Sequence, residues 1–276
     1  MKIKAYAKLN LALNITDTRA NGMHELDMLM QRISLADELA IEKSNKTTLY
    51  CDDMPIDKNN TALIAAELFF AATGITGGAE IVLKKNIPSQ AGLGGGSSDA
   101  AAVLCALNTL FDARLTKNEL MQIGLRIGAD VPFFIVGGSA RAQGIGEKLV
   151  PFTNNCDFSY LLIKPQNGVS TAAAYKKYHE LGIVKPNVPA AQNALEAGNA
   201  HEYFRTAQNA LMPAGIALCP QVGEILTDCA EYGADFAMMT GSGSCVFAVF
   251  SSAPAKQNAR TAFAEKYPFC AKATNK

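Results

Sequence analysis

The chain has no tryptophan, only three histidines and no excess of charge of either sign, with Lys+Arg and Asp+Glu at 25 each. A net charge near zero argues against a general binder of nucleic acid or of anionic membrane surfaces, because either partner demands a basic face. No CxxC pair is present, and the seven cysteines (51, 105, 156, 219, 229, 245 and 270) are odd in number and widely scattered. Neither a disulfide framework nor a zinc knuckle is therefore expected, and reduced thiols fit the pattern. There is no HExxH. The opening MKIKAYAKLNLALNI is interrupted by Lys2, Lys4 and Lys8, so it cannot supply the apolar centre of a signal peptide. No apolar run approaches the ~18 residues of a membrane span. The expectation is a cytoplasmic protein with no nucleic-acid or membrane partner and an oligomeric state left open. Any anion it holds must be caught by a local site.

What is present is an ordinary globular composition, 49% hydrophobic and 18% charged over 276 residues, enough for one large or two ordinary domains. Residues 3–15 alternate: Ile3, Ala5, Ala7, Leu9, Leu11, Leu13 and Ile15 form one face, and Lys8 and Asn10 stand side by side on the other. Period two predicts a half-buried strand with those two side chains turned away from the core. Asn21-Gly22 predicts a turn. A helix is expected over 60–73, opened by Asn60 or Thr61 and closed by Gly74. A strand is expected over 79–88, a helix from about Ser98 to Phe111, and another from Thr116, which stands at capping-box spacing from Glu119. Strand-like runs follow in 129–152, then a strand over 158–164, a helix from Ser170 to Gly182, mostly helical pattern over 186–220, a hairpin within 236–250 and a helix over 254–266. The polar stretch 153–157 is the best boundary, giving domains 1–154 and 155–276. Mixed elements without regular βα alternation indicate an α+β fold.

The stretch IPSQAGLGGGSSDAAAVL (87–104) sets four glycines and two serines, all within residues 92–98, directly against a run of helix formers. Glycines let several backbone N–H groups converge, and a helix N-terminus adds about half a positive charge, so the stretch suits an anion. It can equally be a packing turn where a helix crosses close to a strand. It is neither common nucleotide fingerprint: no lysine follows the glycines as G-x-x-x-x-G-K-[ST] requires, and G-x-G-x-x-G lacks its final glycine. Ser97 and Ser98 can cap the helix or reach a phosphate or a magnesium ion, whereas Asp99 sits awkwardly beside bare phosphate unless a metal intervenes. Asp130 in GADVPFF is a cap, a turn residue or a base. Lys8 is a solvated surface lysine unless it meets that aspartate, His24 is a loop histidine or a ligand contact, and TGSGSC (240–245) is a hairpin turn or a second close backbone approach.

AYAKLNLALNI, PSQAGLGGGSSDAA and TGSGSCVFAVF resemble, in order, the three motifs of the GHMP small-molecule kinases. GADVPFF, the x-Gly-x-His turn and GVSTAAAY narrow the resemblance to members acting on a cytidine diphosphate-linked methylerythritol. The resemblance implies a ribosomal-protein-S5-domain-2-like N-terminal domain and a ferredoxin-like C-terminal domain, with ATP and Mg2+ as cofactors. It implies γ-phosphoryl transfer to a substrate hydroxyl, with Lys8 and Asp130 as the catalytic pair; Asp130 either takes the hydroxyl proton or only orients the hydroxyl. Pro88, Ser89, Gln90, Ala91, Gly92, Leu93, Gly94, Gly95, Gly96, Ser97 and Ser98 would wrap the triphosphate, and Asn60 falls in the adenine region. His24 would hydrogen-bond the cytosine and Tyr175 stack on it. Asn10, Thr171, Gly241 and Ser242 would line the acceptor and diphosphate side. Met23 stands where the family usually has an aromatic, which removes one half of a two-sided sandwich. QNALMPAGIAL departs from the acidic form usual in the family, and Asn209 within it is given no role.

Overall fold

A computed structural model describes residues 1–20, 22–51, 59–181 and 184–276. Its elements are, in chain order, β1 (Lys2–Thr18), β2 (His24–Ser44), β3 (Thr48–Cys51), α1 (Thr61–Thr73), β4 (Gly78–Lys84), α2 (Gly95–Leu110), α3 (Lys117–Leu125) and α4 (Val131–Val136). There follow β5 (Ser139–Gly144), β6 (Lys148–Phe152), β7 (Ser159–Lys164), α5 (Thr171–Leu181), α6 (Val188–Glu196), α7 (Ala200–Thr206) and α8 (Met212–Leu218). The chain ends with α9 (Gln221–Glu231), β8 (Phe236–Met239), β9 (Val246–Val249), α10 (Ala253–Lys266) and β10 (Phe269–Thr274). Asn21 of the expected Asn-Gly turn and Gly182, the expected end of the helix from Ser170, lie outside the described residues. No helix among the described residues is long and apolar enough to cross a membrane.

Two compact units divide the chain. The first holds residues 1–7, 35–87 and 94–137. Here β4 pairs antiparallel with the later half of β2 and parallel with β3. Ala79, Ile81 and Leu83 of β4 are buried while Glu80, Val82 and Lys84 are exposed, the alternation of a sheet with one face on a core. The strand expected to run to Pro88 stops at Lys84 because the next backbone turns onto a side chain: the Asp37 carboxylate accepts the amides of Asn86 (2.5 Å) and Ile87 (2.8 Å). Helix α1 opens on Asn60, whose Oδ1 accepts the Ala62 amide, and ends at Gly74 in the left-handed region. It packs on α2, both helices burying alanine-rich stretches (Ala62, Ala65, Ala66; Ala100, Ala101, Ala106). The Thr116–Glu119 capping box of α3 is present. Residues 131–136, expected as a strand, are helical instead. All but the last are buried, a short run whose periodicity cannot separate the two states, and Pro132 in the first turn favours the helix.

The second unit holds residues 8–34, 88–93 and 138–276. One antiparallel sheet has the order β10-β7-β9-β8. Tyr160, Leu161, Leu162 and Ile163 of its inner strand β7 are wholly buried, facing both ways. β10, which pairs with β7, was absent from the sequence reading, since FCAKAT carries too weak an alternation to announce an edge strand. β8 and β9 form the expected hairpin. Elsewhere in this unit the early half of β2 pairs with β5, and β5 with β6. An aromatic cluster fills the interior: Phe204 lies flat on Phe236 at 5.2 Å, Tyr160 meets Phe247 edge-on at 5.7 Å and Phe158 lies 5.4 Å from Tyr203. Tyr203 is fully buried, and its hydroxyl donates to the Leu11 carbonyl at 3.0 Å. Tyr203→Phe leaves that carbonyl without its donor and should lower unfolding free energy by about 1–2 kcal/mol; Tyr203→Ala, which also opens a cavity, should lower it by about 3–5 kcal/mol. Urea titration of both variants checks the order, and an unchanged stability in Tyr203→Phe would place the whole effect in packing.

Candidate active site

In the first unit the glycine stretch becomes the head of α2. The helix begins at Gly95, earlier than expected, with Gly94 at the cap in the left-handed region (φ 72°). The Ser98 amide bonds to the Gly94 carbonyl at 2.9 Å, so the amides of Gly95, Gly96 and Ser97 have no partner within the helix and remain donors at its positive end. Neither serine caps the helix. The Ser98 hydroxyl is turned inward and donates to the Tyr6 carbonyl at 2.6 Å, whereas Ser97 faces the turn before α4: a Cβ on Gly128 would stand 3.8 Å from its Oγ. Thr61 Oγ1 donates to the Gly96 carbonyl at 2.7 Å, which brings Asn60 beside the same helix start. Asp130 occupies the cap position of α4, yet its carboxylate makes no capping bond; the turn-residue reading explains its place and not its side chain.

Beneath that helix start lies a charge cluster that the sequence reading missed. Lys85 Nζ is 2.5 Å from Asp37 Oδ2 and 2.6 Å from Asp99 Oδ2, and a Cβ on Gly95 would come within 3.4 Å of it. The cation expected near Asp99 is thus a lysine ammonium. Burial pushes the Asp99 carboxyl up to about 7, opposed by Lys85 and reinforced by Asp37. Of the three neighbours considered for magnesium, Asp99 is held by Lys85 and Ser98 by Tyr6, and no cluster of metal-ligating side chains occurs among the described residues. This donor set does not make a protein-built magnesium site.

In the second unit three backbone segments converge. Gly92 (φ 73°) has no room for a side chain, since a Cβ there would lie 2.1 Å from the Thr240 carbonyl oxygen. The Gln90 and Ala91 carbonyls accept the amides of Ser244 and Cys245, each at 3.2 Å. From β1, the Asn10 amide donates to Thr240 Oγ1 at 2.9 Å, and Lys8 Nζ donates to Asn10 Oδ1 at 2.5 Å. Gly241 faces both side chains: a Cβ on it would be 3.1 Å from Asn10 Oδ1 and 3.3 Å from Lys8 Nζ. Lys8 is 4% exposed and Asn10 2%, so the expected solvated lysine is wrong; β1 is buried on both faces from Ala7 to Leu13, while Lys2 and Lys4 of the same strand stay exposed. Asn209, given no role above, donates from Nδ2 to the Met239 and Gly241 carbonyls at 2.8 Å each and so pins the 240–245 turn. Thr171 Oγ1 and Ser242 Oγ are 3.0 Å apart, joining the head of α5 to that turn.

His24, at the start of β2, lies flat on Tyr175 of α5, centroids 4.1 Å apart and planes 15° from parallel. His179, not anticipated, is one turn further along α5, and its Nε2 is 2.8 Å from Nε2 of His24. Burial, and secondly the neighbouring His179, lower the His24 pKa. The structure therefore groups Asn60, Gly94, Gly95, Gly96, Ser97, Ser98 and Asp130 in one unit, and Lys8, Asn10, His24, residues 88–93, Thr171, Tyr175, Gly241 and Ser242 in the other.

The model of the GHMP kinases N terminal domain matches residues 60–138, and that of the GHMP kinases C terminal region matches 191–268. A 4-diphosphocytidyl-2-C-methyl-D-erythritol kinase of Caldicellulosiruptor bescii is 40% identical over 257 residues, covering 91% of this chain and 90% of that protein. This chain belongs to the GHMP kinase family. A protein of the same name from Clostridium tetani is 38% identical, with 97% of each chain covered. A crystal structure of 4-(cytidine 5'-diphospho)-2C-methyl-D-erythritol kinase superposes with a TM-score of 0.84 at 34% identity, covering 99% of this chain and 98% of that one. This GHMP kinase accordingly has the family's two-domain α+β fold and is an ATP-dependent phosphotransferase.

The cluster under the glycine helix of this kinase carries a pH signature. An unfolded carboxyl titrates near ~4 and Asp99 near about 7, so between those values the folded chain holds more protons than the unfolded one, and stability falls as pH rises through the window. Asp99→Asn should flatten that fall. Melting temperatures at pH 5 and pH 8 check it, and parallel shifts in wild type and variant would assign the titration elsewhere.

Proposed function

We propose that this kinase transfers the γ-phosphoryl group of ATP to the 2-hydroxyl of 4-diphosphocytidyl-2-C-methyl-D-erythritol, a step of the methylerythritol phosphate route to isoprenoid precursors. The observation that carries the reading is the ring pair of His24 and Tyr175, from distant parts of the chain, stacked at 4.1 Å. Such a pair offers a pyrimidine a flat apolar surface beside a hydrogen-bonding ring edge. Met23, 42% exposed next to it, adds a polarizable thioether in place of a second aromatic. The names of relatives 38–40% identical over nine-tenths or more of this chain support the same substrate.

In this reading the Gly95, Gly96 and Ser97 amides hold phosphate oxygens, with residues 88–93 continuing the wrap and Asn60 on the adenine side. Mg2+ would arrive with ATP and supply charge neutralisation at the phosphates. Asp130, whose carboxylate is not spent on capping, accepts or orients the proton of the attacking hydroxyl. Lys8, desolvated and fixed by Asn10, steadies charge that develops during transfer, which a buried and preoriented cation does better than a solvated one. Asn10, Thr171, Gly241 and Ser242 line the acceptor and diphosphate side.

The purified chain with Mg-ATP and the cytidine substrate should release ADP in step with phosphorylated product, and turnover only with homoserine or mevalonate would overturn the assignment. Asp130→Asn should keep ATP affinity while kcat falls by about 10²–10⁴, the range general acid–base catalysis supplies; a near-normal kcat removes the base role. Tyr175→Ala should raise KM for the cytidine substrate about tenfold, the equivalent of ~1.4 kcal/mol of lost stacking, and leave KM for ATP nearly unchanged. Equal effects on both would sink the stacking role.

A further inference from the structure

We propose that His179 is a positioning residue for base recognition: through its hydrogen bond to Nε2 of His24 it decides which nitrogen of His24 carries the proton, and so makes His24 Nδ1 a donor that favours cytosine over uracil. The proposal rests on the substrate reading above.

Tyr175 and His179 are four residues apart on α5, which sets them on one face of the helix, one turn apart. His24 lies against both, its ring 4.1 Å from Tyr175 and 5.0 Å from His179. The contact that matters is edge to edge, with the two Nε2 atoms 2.8 Å apart. A neutral imidazole has one N–H and one lone pair, so this distance admits a single proton between the rings. If His24 donates, its Nδ1 is an acceptor; if His179 donates, His24 must carry its proton on Nδ1. The two rings cannot choose independently.

The surroundings favour His179 as donor. It is exposed, whereas His24 is half-buried at the start of its strand, so water can satisfy whichever ring nitrogen of His179 the contact leaves over. Burial lowers the His24 pKa first and His179 lowers it further, in the same direction. Two nearby ion pairs are closed on themselves: Arg19 with Glu25 at 2.5 Å, and Lys177 with Glu180 at 2.9 Å. With His24 Nε2 accepting, its free edge shows an N–H. Cytosine carries a lone pair at N3 and uracil an N–H there, so a donor fits the first and opposes the second. A polar mismatch of that kind discriminates better than a change of apolar contact.

Long-range 1H–15N spectra of the free protein test the positioning without any substrate. His24 should be the Nδ1–H tautomer in wild type and shift toward Nε2–H in His179→Ala; an Nε2–H His24 in wild type, or no change in the variant, overturns the proposal. Kinetics test its use. His179→Ala should raise KM for the cytidine substrate several-fold, lower kcat far less, and shrink the preference for it over the uridine diphosphate analogue about tenfold. His179→Gln, whose side-chain amide can donate, should recover most of that preference. An unchanged preference in His179→Ala, or an equal loss with Gln and Ala, overturns the specificity role. If wild type fails to turn over the cytidine substrate at all, the substrate reading falls and the specificity role with it, while the spectra still decide whether His179 sets the tautomer.

Discussion

The second unit depends on an approach of backbones that leaves no space for a single Cβ. At Gly92 the carbonyl of Thr240 stands where a side chain would begin, and at Gly241 the side chains of Lys8 and Asn10 fill the corresponding place. Main-chain bonds from Ser244 and Cys245 to Gln90 and Ala91 lock two of the segments, and the Asn209 amide ties the third turn down from behind. Glycine at these points has little to do with flexibility. The loops are held by contacts that any larger residue would push apart, which gives the surface they form a fixed shape.

Buried charge is managed differently in the two units. Lys85 sits between two aspartates, so the carboxylate in the first turns of the glycine helix is paired with an ammonium. Lys8 donates to a neutral amide oxygen, that of Asn10, whereas an ammonium clamped between carboxylates serves mainly to hold structure.

A third kind of contact gathers rings from distant parts of the second unit. His24 combines a face stacked on Tyr175 with an edge bonded to His179, so one small ring joins apolar and polar contact, and Asn209 in the same unit holds a turn through two main-chain carbonyls.

Local pattern alone determined a good deal: an alternating first strand, the caps of α1 and α3, the Gly-Ser hairpin, and a glycine-rich helix start suited to an anion. Those features depend on residues a few positions apart, whose turn and capping preferences act without help from the rest of the chain. The family motifs added Lys8, Asp130, His24 and Tyr175. Tertiary structure alone decided that Lys8 and Asn10 of β1 are buried, that Lys85 pairs with Asp99, that Asn209 pins the 240–245 turn, and that His179 meets His24. Each of these rests on partners brought together by folding (Asp37 with Lys85, Asn209 with Gly241, His24 with His179). Burial and pairing are properties of where the chain meets itself, and no periodicity along it encodes them.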